Sequence, residues 1–401
     1  MERFVNWSGS LAFDAERLRQ PTSEQEVIDI VHEALDRGGS VRPVGSGHSS
    51  TPLAETGDTL ISFGRMAGLV GADKSNGRAT LLPGTGLAEA GSALAEHGLA
   101  MENLGDVDYQ SLAGAMGTGT HGTGRELGNL SSTLVGGTLV TGTGAVVRFG
   151  EQADSAQGQT LLRAAQLALG ALGVLTSLTL RVQPAFDLHR QNWMTHIDWV
   201  LGHFEELSQT CRHVDFYWYP RSDRAQVRVL TLPGDEPAIS PPGYLKKDER
   251  GPSYEVIPNF RDLKFDEMEY MLPLEHGLEA FRRVRERVKD RHRDKVGWRV
   301  LVRTVAPDDA MLSNIRQPTM TIALLQNASL DHEPYFRDME ALFLDWGGRP
   351  HWGKKHYRTA PDLRRMYPDW DAFLTLREKC DPEGVFLNDY LTEIFGLQGA
   401  P

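Results

Sequence analysis

Two glycine-rich stretches in the first third of the chain contain the residue types best suited to chemistry. Residues 101–124 place six glycines among serine and threonine residues and include one imidazole, His121. Residues 41–50 read Val-Arg-Pro-Val-Gly-Ser-Gly-His-Ser-Ser and include His48. Because glycine lacks a Cβ atom and adopts positive φ readily, such stretches let backbone N–H groups come close to an anion. Together they predict a large phosphate-bearing cofactor that is held at several points.

A nicotinamide dinucleotide site is the obvious alternative, because Gly117, Gly119 and Gly122 spell G-x-G-x-x-G. That fingerprint requires a hydrophobic strand before it, a helix after it and an acidic residue about twenty positions further on. Here residues 111–116 are predicted to form only a weak strand, and the residues that follow make no convincing helix. No acidic residue occurs within residues 127–150. We therefore reject a nicotinamide site.

The overall composition limits the classes of partner. A chain of 401 residues with 40% hydrophobic and 24% charged residues is typical of a folded protein of two domains. The net charge of −12 disfavours nucleic acid and anionic membranes as partners. Cys211 and Cys380 are far apart, which favours a reducing compartment, and no charged leader followed by an apolar run is seen. We therefore expect a cytoplasmic protein with a small-molecule substrate and no membrane attachment.

Helix and strand signals alternate up to about residue 185, after which the composition changes: tryptophan, arginine and histidine become more frequent and glycine becomes sparse. This predicts an α+β fold with domains at 1–185 and 186–348, and a C-terminal segment, 349–401, that completes the site and packs back on the first domain. Residues 232–258, rich in Pro, Gly and Asp, are predicted to form a long surface loop. The predicted helices are 23–37, 87–97, 161–169, 274–292 and 334–346, and the predicted strands are 41–44, 60–63, 79–82, 134–140, 145–149, 173–182, 216–219, 225–232, 298–305 and 320–325.

Six separated motifs give the chain a family resemblance. They are Val44-Gly-Ser-Gly-His-Ser49, Asn103-Leu-Gly-Asp-Val-Asp108, residues 110–124, Gly170-Ala-Leu-Gly-Val-Leu175, Arg349-Pro-His-Trp-Gly-Lys354 and residues 386–391. On these motifs the chain resembles the FAD-dependent oxidases of the vanillyl-alcohol oxidase superfamily, in the branch of alditol oxidases and L-gulono-1,4-lactone oxidase-like aldonolactone oxidases. The resemblance covers nearly the whole chain. It implies a two-domain FAD-binding fold of the PCMH type, with an antiparallel-sheet cap domain that faces the flavin ring.

The resemblance also implies where FAD binds. His48 matches the histidine that is bonded covalently to the 8α-methyl carbon of the flavin, and a neutral imidazole is a competent nucleophile for that bond. Ser111 matches a serine beside the flavin, and the backbone of Val174 would lie against the adenine. Asn388 and Tyr390 are candidates for closing the pocket or for purely structural roles. The cofactor-binding residues implied are Val44, Gly45, Ser46, Gly47, His48, Ser49, Asp106, Ser111, Gly114, Gly117, Thr118, Thr120, His121, Gly122, Val174, Lys354 and Asn388.

The catalytic residues implied are cationic or able to hydrogen-bond. Flavin-dependent oxidation of an alcohol needs positive charge beside the reduced ring. Lys354 matches the family lysine that supplies this charge or contacts the substrate hydroxyl, and Arg303 matches the arginine that holds the substrate oxygen. Ser111 and His351 complete the catalytic set, whereas His121 is expected to support the geometry of its loop. The implied reaction is hydride transfer from a CH–OH group of an aldonolactone, sugar alcohol or related substrate, with O2 or another electron acceptor.

One departure from the family concerns the residues around Arg303. Relatives carry Glu-x-Arg, whereas this chain reads Leu301-Val-Arg303, so the carboxylate that would orient the arginine is expected to be missing. The next strand, residues 320–326, also lacks the histidine of alditol oxidases. A hydroxyl that faces an apolar residue loses a hydrogen bond worth about 1–3 kcal/mol. We therefore hypothesise a substrate that is less hydroxylated than a free alditol.

Several alternatives stay open at this point. The acceptor of the hydroxyl proton could be Lys354, His351 or His356, or no side chain at all if hydride transfer leads. The chain could instead be a tailoring oxidase that acts on a less polar alcohol in specialised metabolism, or a flavin-binding scaffold that has lost catalysis. A metal site is not expected, because His351 and His356 are five positions apart and no carboxylate or thiol cluster joins them in the sequence.

Overall fold

The computed structural model describes residues 1–153, 155–235, 237 and 241–397. Within these residues the strands form an eight-stranded, a five-stranded and a three-stranded sheet and two two-stranded pairs. The strands are β1 (Glu2–Val5), β2 (Ala12–Ala15), β3 (Arg17–Arg19), β4 (Val41–Val44), β5 (Thr59–Ser62), β6 (Leu69–Asp73), β7 (Arg78–Leu81), β8 (Leu99–Ala100), β9 (Leu134–Val140), β10 (Val146–Gly150), β11 (Val174–Arg181), β12 (Gln183–Pro184), β13 (Asp187–His196), β14 (His213–Tyr219), β15 (Arg224–Thr231), β16 (Tyr244–Pro252), β17 (Phe265–Pro273), β18 (Val300–Val305), β19 (Thr319–Asn327) and β20 (Arg349–Pro350).

The first helix shows how local sequence signals set the ends of an element. Ser23 accepts a hydrogen bond from the N–H of Glu26 at its start, and Gly38 ends it with a φ of +63°. Within the described residues, none of the helices combines the length and the hydropathy that a bilayer crossing requires. The helices are α1 (Glu24–Arg37), α2 (Leu87–Glu96), α3 (Leu112–Gly117), α4 (Ala156–Ala165), α5 (Ile197–Thr210), α6 (Ser253–Val256), α7 (Leu274–Arg291), α8 (Glu333–Asp345), α9 (Ala360–Met366), α10 (Trp370–Cys380) and α11 (Asp389–Phe395).

The first part of the chain contains a parallel sheet and an antiparallel sheet. The order of the parallel sheet is β3-β5-β4, and that of the antiparallel sheet is β10-β9-β11-β7-β6. Apolar residues of α2, α3 and α4 pack against the antiparallel sheet, and the same core includes Trp370 and Phe373 of α10 and Leu391 of α11. The C-terminal helices therefore pack on the first part of the chain.

The eight-stranded sheet has the order β16-β13-β15-β14-β18-β19-β17-β20, and its two faces contact different parts of the protein. Alternate residues such as Met268, Val302 and Ile322 pack with the apolar faces of α5, α7 and α8. Since side chains alternate along a strand, the residues between them, such as Glu269 and Arg303, lie on the opposite face. That face is turned towards the first part of the chain.

Arg42 on β4 ties three distant segments together. Its guanidinium is buried and donates to the carbonyl of Leu53 from Nε at 2.8 Å. It also donates to the carbonyls of Leu169 at 2.9 Å and Gly170 at 3.0 Å, and to that of Phe386. These bonds hold the segment after the His48 loop, the motif at residues 170–175 and the C-terminal motif in one place.

Three sequence-based predictions of elements were wrong in part. Residues 111–116 were predicted as a weak strand, but Leu112–Gly117 form helix α3, because Leu112, Ala115 and Met116 place apolar side chains on one buried face at helical spacing. The predicted surface loop at 232–258 contains the edge strand β16 and the short helix α6, and its residues 236 and 238–240 lie outside the described residues. The helix predicted at 161–169 begins earlier, at Ala156, where Ser155 caps it. The division into domains at 185 and 348 stays a prediction.

We predict that Arg42→Ala lowers the free energy of unfolding by at least about 3 kcal/mol, because several buried carbonyl oxygens lose their donor together. Chemical denaturation followed by tryptophan fluorescence would measure this. Arg148→Ala, an exposed arginine on β10, is the matched control and should change stability by less than about 0.5 kcal/mol. Equal effects of the two substitutions would contradict the structural role given to Arg42.

Candidate active site

A long cavity lies between the two glycine-rich loops and the inner face of the eight-stranded sheet. One wall consists of residues 44–51 with parts of segments 106–121 and 168–175. The opposite wall consists of residues from β17, β18 and β19 and of the segment after β20. The predicted site residues that line the cavity are Val44, Gly45, Ser46, Gly47, His48, Ser49, Asp106, Ser111, Gly114, Gly117, Thr118, Thr120, His121, Arg303, His351 and Lys354.

The two glycine-rich loops touch each other where side chains are absent. A Cβ atom on Gly45 would overlap Ser111 Oγ and would lie 3.7 Å from the Cα of Gly114. Gly47 has a φ of +68°, which makes the turn before His48 possible without strain. In the described part of the chain, the backbone N–H groups of residues 46–49 donate to no other backbone group. These donors therefore remain available to an anionic group in the cavity.

His48 lies at one end of the cavity among aromatic rings. Its ring stacks on Trp7 with a centroid distance of 5.1 Å, and the ring of Tyr109 is 4.8 Å away. Burial, with a smaller effect from Lys264, lowers the pKa of His48 to about 4. The imidazole is therefore neutral at physiological pH, as a nucleophile must be.

At the opposite wall, Glu269 on β17 organises the charged groups. Arg303 Nη2 donates to Glu269 Oε1 at 2.7 Å, and Lys354 Nζ donates to Oε2. His121 Nε2 lies 3.3 Å from the same Oε2. Burial by itself raises the pKa of Glu269, but Arg303 and then Lys354 outweigh it, so the pKa lies well below the ordinary value. The carboxylate is thus ionised and fixes both cations.

The expectation that Leu301 leaves Arg303 without a carboxylate was wrong. In the sheet, Leu301 on β18 pairs with Ala323 on β19, which in turn pairs with Glu269 on β17. Because Ala323 is small, the Glu269 side chain reaches across the intervening strand to Arg303. The carboxylate that pairs with Arg303 therefore comes from β17, two strands away in the sheet, and not from the residue two positions before Arg303 in the sequence.

The two histidines of this wall are both neutral. His121 Nδ1 donates to the carbonyl of Gly122 at 2.9 Å, since a carbonyl oxygen can only accept. His351 Nδ1 accepts the N–H of Gly353 at 3.1 Å, which leaves the proton of the ring on Nε2. Burial is the main cause that lowers the pKa of His121 and brings the pKa of His351 well below the ordinary value. Arg303 Nη1 also donates to the carbonyl of His121 at 3.0 Å. This bond supports the expected role of His121 in the geometry of its loop.

Beside Lys354 the wall combines one carboxylate with an apolar surface. Glu267, with a side chain 15% exposed, places Oε1 2.7 Å from Lys354 Nζ. Phe265, Leu301 and Leu325 line the cavity next to it. Burial raises the pKa of Glu267 above the ordinary value, although Lys354 opposes the rise. A molecule in this part of the cavity meets polar groups on one edge and hydrocarbon on the other.

Asp106 lines the cavity, but its carboxylate is bound by protein groups. Arg261 Nε donates to Oδ2 at 3.0 Å, and Asn259 Nδ2 and the hydroxyl of Tyr217 donate to Oδ1 at 2.7 and 3.0 Å. Burial raises the pKa of Asp106, but Arg261 and Arg228 outweigh it and the net pKa is lowered. This side chain therefore anchors the segment around Arg261, and the predicted place of Asp106 beside the cofactor stays a prediction.

Three other predicted cofactor residues lie outside the cavity wall. Gly122 packs against the backbone of Leu104, where a Cβ atom has no room. The side chain of Val174 is buried in the core beside α1, although its neighbours in sequence line the cavity. Asn388 caps α11 and donates to carbonyls within residues 52–55. These positions support the loops that form the cavity.

His356 and Tyr390 form a separate pair. The Tyr390 hydroxyl and His356 Nε2 are 3.1 Å apart, and the ring of His356 lies against Trp352. Neither residue belongs to the cavity wall. His356 is therefore removed from the candidates for the proton acceptor.

Three donor groups in the described residues converge closely enough to hold a metal ion. Nitrogens of His121 and His351 and an oxygen of Glu269 lie within 4.8 Å of one another. Arg303 and Lys354 already bind both oxygens of this carboxylate. Two cationic side chains at the same carboxylate disfavour a divalent cation beside them, because like charges repel in a buried site. The expectation that the chain has no metal site stays a prediction.

Known proteins match the chain along its length. Residues 15–150 match the family model described as an FAD binding domain, and residues 178–240 and 236–394 match that of D-arabinono-1,4-lactone oxidase. The chain is 36% identical to the L-gulono-1,4-lactone dehydrogenase of Mycobacterium tuberculosis, with 98% of each chain covered. The chain belongs to the D-arabinono-1,4-lactone oxidase family.

Other relatives agree with this family assignment, and a solved structure agrees with the fold. The alditol oxidase of a Streptomyces species is 30% identical, with 97% of this chain and 98% of that protein covered. The L-gulonolactone oxidase of Bos taurus is 28% identical, with 98% of each covered. The structure of cholesterol oxidase from B. sterolicum superposes with a TM-score of 0.84 at 18% identity, covering 98% of this chain and 96% of that one. The predicted α+β, FAD-binding fold of the PCMH type is confirmed, and the chain is an FAD-dependent oxidoreductase that acts on CH–OH groups.

The cavity fits the FAD that this family binds. The free N–H groups at residues 46–49 suit a diphosphate. A Cβ atom on Gly117, which lines the cavity, would meet no atom within 4 Å, so the missing side chain leaves space beside the backbone. Neutral His48 and the cationic groups Arg303 and Lys354 lie in the same cavity. Its shape and charge are therefore suited to a bound flavin dinucleotide.

Four residues in or beside the candidate site were not predicted from the sequence: Glu267, Glu269, Trp7 and Tyr109. Residues 265–273 were assigned to no element, although acidic Glu267 and Glu269 alternate there with apolar residues. Such a period of two is the signal of a strand with one polar face, and it would have placed both carboxylates on one side. The approach of Trp7 and Tyr109 to His48 has no comparable signal, because it depends on how the N-terminal hairpin folds over the loop.

We predict that Glu269→Gln lowers the free energy of unfolding at pH 7 by about 3–5 kcal/mol, because it leaves Arg303 and Lys354 buried without their shared anion. The folded-state pKa of Glu269 is depressed, so its stabilisation is present above the ordinary glutamate pKa and is lost as the pH falls. The variant should therefore lose less stability than the wild type between pH 6 and pH 3. Denaturant titrations at several pH values would show this.

Glu275→Gln, on a side chain 79% exposed on α7, is the matched control for that experiment. It should preserve both the stability and its pH dependence. If Glu269→Gln were as stable as the wild type at pH 7, the carboxylate would not be the group that holds the two cations.

Proposed function

We propose that this chain oxidises a CH–OH group of an aldonolactone or a related hydroxylated substrate, with FAD attached covalently through His48. The observation that carries the proposal is the shared cavity, in which His48 and the glycine-rich loops face Arg303 and Lys354. The relatives named as lactone dehydrogenase, lactone oxidase and alditol oxidase support the substrate class.

The side chains of the wall have separate tasks in this proposal. Bound FAD supplies the two-electron oxidant that takes hydrogen from the substrate carbon. Arg303, fixed by Glu269, binds a substrate oxygen, and Lys354 adds positive charge to the same wall. Ser111 Oγ, between the two glycine-rich loops, hydrogen-bonds a substrate hydroxyl or the flavin edge. His351 offers the Nε2 proton as a further donor, since its Nδ1 is already occupied.

A second candidate substrate is an alcohol with an apolar edge, as in a tailoring oxidase. It is favoured by Leu301, Leu325 and Phe265, which form hydrocarbon surface beside the charged groups. A flavin-binding scaffold without catalysis has less support, because a fixed arginine and lysine on one carboxylate are what substrate oxidation requires. We also propose a cytoplasmic location, supported by the free, buried cysteines Cys211 and Cys380.

We predict that aldonolactones reduce the bound flavin faster than linear alditols. A linear polyol placed against Leu301 and Leu325 loses hydrogen bonds worth about 1–3 kcal/mol each, which corresponds to about 5- to 150-fold in rate per hydroxyl. Anaerobic bleaching of the flavin by L-gulono-1,4-lactone, xylitol, sorbitol and an alkyl-substituted alcohol would rank these substrates without presuming an electron acceptor. Xylitol or sorbitol as the best substrate would exclude the proposed selectivity, and bleaching by none would favour the scaffold.

We predict that the flavin colour of the wild type stays with the polypeptide after acid precipitation, whereas His48→Ala releases it into the supernatant. The reason is that His48 is the neutral nucleophile of the cavity and alanine cannot form the bond. Absorbance of pellet and supernatant measures the partition. His97→Ala, which replaces an exposed histidine at the end of α2, is the control and should retain the flavin in the pellet. Release from the wild type would show that FAD is bound without a covalent bond.

A further inference from the structure

Glu267 and Glu269 lie on the same face of β17 but differ in what binds them. Glu269 has no exposed surface, and Arg303 and Lys354 bind both of its oxygens. Glu267 lines the cavity with a side chain 15% exposed, and its ion-pair partner in the described residues is Lys354, 2.7 Å from Oε1. Glu267 is therefore the carboxylate of this pair that a substrate in the cavity meets.

The other titratable groups of the wall are poor acceptors of a proton. The Nζ atom of Lys354 is already engaged by two carboxylates, one from Glu267 and one from Glu269. The Nδ1 atoms of His121 and His351 are engaged by backbone groups, and burial opposes a positive charge on either ring. The Ser111 hydroxyl can relay a proton to another group. It is a poor final acceptor, because a protonated hydroxyl carries a positive charge. Among the described groups that line this wall, Glu267 is left as the acceptor.

We propose that Glu267 accepts the proton of the substrate hydroxyl, and this inference rests on the function proposed above. The C–H and O–H bonds of the substrate break and a C=O bond forms. The hydrogen of the carbon leaves with two electrons to bound FAD, and the hydroxyl proton goes to a carboxylate oxygen of Glu267. The substrate is oxidised, the flavin is reduced, and Glu267 becomes a neutral acid.

The charges packed around Glu267 make this transfer favourable. Glu267 and Glu269 carry two negative charges, and Arg303 and Lys354 carry two positive charges, so the group is neutral before reaction. Protonation of Glu267 leaves one net positive charge at the moment when negative charge moves onto the cofactor. Because charges in a buried site interact across a low dielectric, the freed positive charge stabilises the reduced state.

The Glu267→Gln variant separates this role from a purely electrostatic one. Removal of a negative charge from the wall should raise the reduction potential of the bound flavin. Loss of the proton acceptor should nevertheless slow anaerobic flavin reduction by the substrate by about a hundredfold or more. A residue that acted only through its charge would raise the potential and leave the rate unchanged or faster. Potentiometric titration and stopped-flow absorbance measure the two quantities.

A second readout needs no turnover. Infrared difference spectra of the substrate-free protein should show a carboxyl group that protonates above the ordinary glutamate range, and this signal should be absent from Glu267→Gln. The rate of flavin reduction in the wild type should fall as the pH drops through the same value. Glu267→Asp should keep this fall of the flavin-reduction rate at low pH, although the rate itself should be lower. Glu286→Gln, which changes an exposed residue of α7, should show the wild-type rate and pH dependence.

The outcomes separate this inference from the function on which it rests. Glu267→Gln with the wild-type rate and acid limb would overturn the role of Glu267 while the oxidation of the substrate stands. A protonated Glu267 in the infrared spectrum at pH 7 would overturn it as well, because a neutral acid accepts no proton. If no lactone or alcohol reduced the wild-type flavin, both the proposed function and this inference would fall.

Discussion

The buried carboxylate of Glu269 is the interaction on which the rest of the active site depends. It lies where four parts of the chain meet: β17, β18, the segment after β20 and the glycine-rich loop that contains His121. A carboxylate without exposure to water is costly unless cations and hydrogen bonds surround it. The same requirement that keeps Glu269 paired therefore also fixes Arg303 and Lys354, the two cations that a flavin-dependent oxidation needs. Stability and chemistry are linked here through one ion cluster.

The eight-stranded sheet makes this arrangement possible because its two faces are independent. Residues such as Met268 and Val302 bury one face under helices, while Glu267 and Arg303 on the other face line the cavity. Asp106 joins the two halves in a similar way, since its carboxylate binds Arg261 and Asn259 from the segment before β17. Both acids hold the sheet against the glycine-rich loops. The cavity is therefore an interface whose walls are joined by charge pairs.

The carboxylate that pairs with Arg303 comes from another strand of the sheet. The family resemblance predicts a glutamate two residues before the arginine, and here that place belongs to Leu301. Glu269 restores the pairing from a different strand, and Leu301 with Leu325 leaves hydrocarbon at the cavity wall. Glu267, next along the same face of β17, adds a carboxylate that stays accessible. The wall therefore combines hydrocarbon with a carboxylate that lines the cavity.

The sequence by itself predicted a phosphate-bearing cofactor at the two glycine-rich loops, because local requirements fix such loops, and the resemblance carried by six motifs indicated FAD and the type of fold. Close approach of the backbone to a phosphate needs glycine, and a glycine-rich loop with one histidine can be recognised in the sequence at residues 44–49. The ends of α1 at Ser23 and Gly38 were also predicted from the sequence, because helix caps depend on the residue type at a single position. Only the tertiary structure decided that Asp106 serves arginines, that Asn388 caps a helix and that Glu269 replaces the carboxylate absent at Leu301. Those roles depend on which strands are neighbours and on their register, and such pairings between distant residues leave no mark at fixed spacing in the sequence.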